Sequence, residues 1–163
     1  MSLRLTKYED IIGVHNNREY PMTDSSSALP SAITNIAPLL GRILIAMVFI
    51  PAGIAKLTGF SGMSAYMASK GLPMTDVLLV LTIMIELGGG IMILVGWRAA
   101  EAALVIFLFL IPVTIVFHGY WNIEDPDGTQ MRMFYKNVGI MGGLLCIAGL
   151  GSGPLSLGGK KAA

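Results

Sequence analysis

The twenty residues Val77–Gly96, VLLVLTIMIELGGGIMILVG, contain one charge, Glu86, and no proline. At 1.5 Å per residue such a helix is roughly 30 Å long, the thickness of a bilayer's hydrocarbon core. Three runs of similar length and apolarity share the chain: about 36–57, 99–118 and 133–151. They are too long for strands and show no period-two alternation, which argues against a β-barrel. The fold expected is all-α, an integral membrane bundle of four transmembrane helices.

Composition agrees with the runs. Of 163 residues, 54% are hydrophobic and 13% charged, about half the charge of an ordinary soluble domain. Eleven basic residues against ten acidic ones give a net charge of +1, which offers no footing for nucleic acid. Cys146 is the single cysteine, and His15 and His118 are the two histidines. That set forms no internal disulfide, no CxxC redox pair and no self-contained metal or bis-histidine haem centre. The expectation is therefore no intrinsic metal or cofactor.

The sequence divides into a polar N-terminal segment, 1–35, a transmembrane domain, 36–157, and a basic tail, 158–163. The segment 1–35 lacks the apolar stretch of a secretory signal and reads as a retained tail. Between the first two runs, Thr58 to Asp76 is a Gly- and Ser-containing link with room for a short interfacial helix at 63–70. Trp97-Arg98 is a turn short enough to force an antiparallel hairpin. The stretch from Asn122 to Gln130, with Glu124-Asp125-Pro126-Asp127-Gly128, is a hydrated acidic loop. Seven basic residues (Arg4, Lys7, Arg18, Arg42, Arg98, Lys160 and Lys161) fall on the side of both termini, and four (Lys56, Lys70, Arg132 and Lys136) on the other. The positive-inside rule then places both termini in the cytoplasm.

Charges inside a span are the informative ones, since each costs about 2.5–3.5 kcal/mol at a helix centre. Glu86 lies near the middle of its run, and a carboxylate there takes a proton or finds a cation. Depth leaves three candidates: Arg42 from one side, Lys56 and Lys136 from the other. Arg42 and Lys56, fourteen residues apart, share a helix face. His118 closes the third run, and Lys136 and Asn137 open the fourth. Converging at one end with Tyr120 and Trp121 at the mouth, these residues would form a small-molecule pocket. Two readings stand for Glu86 and its cation: a functional site, or an ion pair that fixes helix register. His118 is equally readable as an interfacial histidine. Gly139 and Gly143 form a GxxxG step that argues for close helix packing, and Pro51 and Pro112 are expected to kink their helices.

Gly41-Arg42, Gly53-Ile-Ala-Lys56-Leu-Thr-Gly-Phe60, Gly71-Leu-Pro73, Glu86-Leu-Gly-Gly-Gly90, His118-Gly-Tyr-Trp121, Lys136-Asn137 and Gly151-Ser-Gly-Pro-Leu-Ser156 occur in that order. In this arrangement the chain resembles the DoxX family of small four-helix bacterial membrane proteins from about Leu40 to Ser156. The long polar N-terminal segment departs from the family pattern. The resemblance implies a bacterial inner-membrane location and kinship with the membrane subunits of thiosulfate:quinone oxidoreductase. Two functions follow as expectations. One is an accessory or anchor subunit of a quinone-linked redox complex, partnered by other membrane subunits or by copies of itself. The other is a quinone-interacting component with its own pocket. In it Glu86 and His118 transfer protons, and Arg42, Lys56, Lys136, Asn137 and Trp121 bind a quinone or anion. A small oligomeric transporter is a third reading.

Overall fold

A computed structural model of the chain describes residues 30–121 and 123–158. Most of the polar segment 1–35 and all but Gly158 of the tail 158–163 lie outside the described residues. So do Arg4, Lys7, Arg18, Lys160 and Lys161, on which the count of topology charges leans.

Among the described residues every regular element is a helix. Four are long and apolar enough to cross a membrane. The first span, Ser31–Thr58, starts five residues before the apolar run does and continues through both Pro38 and Pro51. Pro30 precedes it, where a missing N–H costs the helix nothing. A short helix, Phe60–Ser69, follows after Gly59 alone. It begins three residues ahead of the expected 63–70.

The second span, Thr75–Val95, is not uniform. An α-helical stretch, Thr75–Ile83, and another, Gly89–Val95, flank one π-helical turn at Met84–Gly88. Glu86 is the middle residue of that turn. At the far end Gly96 takes a left-handed φ of 72°. Gly96 N–H bonds to Ile93 O, and Trp97 N–H to Met92 O. This pair of bonds is the Schellman motif. It turns the chain at once into the third span, Ala99–His118, as the short Trp97-Arg98 link requires.

The fourth span, Thr129–Leu150, starts four residues before Met133, through a polar stretch that hydropathy alone leaves out. Its first turn is held by carboxylates. Asp125 accepts the backbone N–H groups of Gln130 and Met131, and Asp127 accepts the N–H and hydroxyl of Thr129. Capping groups of this kind satisfy donors that a helix start leaves unpaired. Asp127 is exposed, and those bonds from Thr129 hold its carboxyl below the usual carboxylate range.

The interior is apolar with a few buried polar groups, and the outside is apolar too. Phe49, Ile93, Ala102, Ala103, Ile106, Leu110 and Leu144 make the main core. Buried with them are Arg42, Glu86, Thr114 and Asn137, whereas Leu44, Met47, Met84, Leu108, Ile115 and Leu145 are exposed. Such a surface has no place in water and suits hydrocarbon. The first and second spans meet closely at Gly53, where a Cβ would stand 2.9 Å from Leu87 Cβ. After the fourth span the chain does not trail away. Leu157 N–H bonds to Val95 O and Gly158 N–H to Gly96 O, folding residues 151–158 across the end of the second span.

Candidate functional site

Lys56 sits in the last turn of the first span, and Glu86 in the π turn of the second. Lys56 Nζ donates to Glu86 Oε2 at 2.7 Å. Glu86 is 6% exposed, so nearly all its solvation comes from protein. Lys56 thereby answers the choice among three cations. A π turn adds a residue to the helical repeat and rotates the helix beyond it; such turns recur at functional sites.

The pair stands on the wall of a cavity of about 230 Å³. His118, from the end of the third span, lines the same cavity, with Tyr66 of the short helix and Phe109 and Phe117 of the third span. His118 Nδ1 lies 2.9 Å from Gln130 Oε1. The arrangement offers an ammonium donor, a carboxylate, an imidazole and aromatic walls around a space that fits a small flat molecule.

The remaining sequence candidates are placed elsewhere. Asn137 is buried in the bundle and donates from Nδ2 to Thr114 Oγ1 at 3.1 Å, joining the fourth span to the third. Lys136, one residue before it, is turned about 100° away by the helix repeat. It is exposed, with Nζ against Met133 Sδ. Trp121 packs edge-on to Tyr120 and Phe134, with ring centroids 5.6 Å apart in each case. It belongs to an exposed aromatic cluster that includes Tyr135, whose hydroxyl lies 3.3 Å from that of Tyr120. That contact raises the Tyr120 phenol above its ordinary range.

Arg42 is on the same face of the first span as Lys56, as the fourteen-residue spacing requires, and both reach the second span. Fourteen residues are also about 21 Å of helix, which puts Arg42 at the other end of the bundle. There its Nη1 donates to Leu94 O at 3.2 Å and its Nη2 to Leu155 O at 2.7 Å. The residues expected in a single pocket are thus dispersed: Lys56, Glu86 and His118 stand together, Asn137 is with Thr114, Lys136 with Met133, Trp121 in the aromatic cluster, and Arg42 at the other end. Sequence reasoning passed over Tyr66 and Phe109. Tyr66 carried a signal, its position within the expected interfacial helix, but nothing in the sequence says where that helix docks.

Comparison with known proteins bears on the same stretch of chain. Residues 37–119 match the DoxX family model, an interval that contains Arg42, Lys56, Glu86 and His118. The chain is 33% identical over 120 residues to inner membrane protein YphA of Escherichia coli (strain K12), covering 73% of this chain and 86% of that one. It is 35% identical over 125 residues to inner membrane protein YqjF of the same strain, covering 77% and 92%. No solved structure matches it.

Proposed function

This chain belongs to the DoxX family of integral membrane proteins, and from that premise we propose that it is a bacterial inner-membrane subunit of a quinone-linked redox complex. Its own share of the work is to hold a quinone headgroup in the cavity at Lys56, Glu86 and His118. The observation that carries this reading is the 2.7 Å Lys56–Glu86 pair on the wall of an otherwise mainly apolar cavity. A pair needed only for register has no use for open space beside it. The location follows the relatives that are named as inner membrane proteins, and the positive-inside count supports a cytoplasmic side for both termini.

The donor set fits the group. A quinone head is a flat, apolar ring with two carbonyl acceptors, and it takes up electrons and protons when reduced. Lys56 Nζ has three hydrogens and gives one to Glu86, leaving donors for a carbonyl oxygen. His118 and the Glu86 carboxylate stand beside it as groups that can pass protons. Phe109 and Phe117 exclude water and pack the ring. Electrons come from a partner subunit, since two histidines and one cysteine make no redox centre within this chain. Between an accessory anchor and a component with its own pocket, the cavity favours the second.

The test is calorimetric. The full chain in lipid nanodiscs is titrated with decylubiquinone. Saturable binding is expected, weakened about tenfold (about 1.4 kcal/mol) by Glu86→Gln and by Lys56→Met, with helix content by circular dichroism unchanged. Wild-type affinity in both variants would defeat the proposal, and so would an absence of binding to the unaltered chain.

A further inference from the structure

Arg42 is 1% exposed, yet among the described residues no counter-charge pairs with it. The ion pairs among the described residues are Lys56–Glu86 and Arg98–Glu101, so no described carboxylate pairs with this guanidinium. Its two bonds go to the carbonyls of Leu94 and Leu155, which are dipoles without net charge. Its Nε is buried with no hydrogen-bond partner among the described residues. A cation withdrawn from water this completely is costly without a counter-charge, and an unpaired buried donor adds to that cost.

The space beside it is the second observation. Arg42 lines a cavity of about 590 Å³ between the first and fourth spans. The walls are apolar or small, with Pro38, Ile45, Gly143, Ile147 and Leu150 among them. A Cβ built on Gly41, also on this wall, meets nothing within 4 Å. Depth is the third. Leu94, which Arg42 holds, is the penultimate residue of the second span, so the guanidinium stands where hydrocarbon gives way to headgroups. One positive charge at headgroup level above an apolar groove is the complement of an anionic amphiphile.

We infer that this groove binds an anionic phospholipid, with its phosphate paired to Arg42 and an acyl chain lying along Ile45 and Ile147. A phosphate accepts from guanidinium in a forked geometry, which gives Nε the partner it lacks, and basic pockets between spans are known lipid-headgroup sites in general. The site is remote from Lys56 and Glu86 and stands or falls independently of the quinone proposal.

Native mass spectrometry of the full chain, released from mild detergent, tests this with phosphatidylglycerol, phosphatidylcholine and inorganic phosphate as separate probes. One phosphatidylglycerol per chain is expected to be retained about tenfold more strongly than phosphatidylcholine, a difference of about 1.4 kcal/mol. Arg42→Gln removes that preference. Gly41→Leu, which fills open space and keeps Arg42, lowers retention of both lipids; it decides the matter even where Arg42→Gln does not fold. Equal retention of the two lipids overturns the inference. So does retention unchanged in Gly41→Leu, or binding of inorganic phosphate that displaces phosphatidylglycerol, which would mark a site for a free anion. Retention of neither lipid also overturns it.

Discussion

Neither Lys56 nor Glu86 is tolerable in hydrocarbon by itself, and each is what makes the other tolerable. Removing one partner strands the other, whereas removing both leaves an apolar contact of similar volume. Lys56→Met alone is therefore expected to destabilise the bundle by about 3 kcal/mol. Lys56→Met combined with Glu86→Leu should recover most of that loss, as read by thermal unfolding in detergent. A double variant as unstable as the single one would show that the two charges do not support each other. This pair was half legible in the sequence. Counting residues along each run gives depth, and depth alone put Glu86 within reach of three cations. Choosing among them needs the angle of each side chain about its helix and the way the helices face one another. Those are set by packing, through contacts such as Gly53 on Leu87. For the same reason Asn137 was placed near Glu86 when it meets Thr114 instead.

Between elements, the first and second spans approach closely at Gly53. Gly53 leaves so little room that any side chain there presses on Leu87, which lies in the π turn just after Glu86. Gly53→Val is expected to cost about 1–3 kcal/mol through overpacking, read by thermal unfolding. It should also weaken quinone binding, because it displaces the turn that presents Glu86. Stability and binding both unchanged would mean that the two helices part without consequence. The spans themselves were readable because hydropathy over twenty residues is a strong signal. Two features were not. The π turn has the composition of any apolar helix and leaves no mark on periodicity. The start of the fourth span lies in polar residues, and what draws Thr129–Arg132 into the helix is capping by Asp125 and Asp127.

At the scale of the molecule, residues 151–158 tie the end of the chain to its beginning and middle. Ser156 packs under Gly96, where a Cβ would collide with both Arg42 Nη1 and Ser156 Cβ. A chain ending at Leu150 loses the bonds to Val95, Gly96 and Arg42. It should unfold at a lower temperature and exchange its Trp97 amide hydrogen faster, by mass spectrometry, than the full chain. Unchanged exchange would mean the segment covers nothing that matters. The sequence showed this stretch only as glycines and serines, because its order comes from backbone pairing with residues some sixty positions earlier. The Arg42–Leu155 bond spans 113 positions, and that distance is also a time. At about 5–20 residues per second of synthesis, on the order of ten seconds pass between the appearance of Arg42 and of the carbonyl that covers it. For the later part of that interval the guanidinium has Leu94 O to bond but not Leu155 O. The arginine of the first span therefore gains its second carbonyl only after the fourth span has been made.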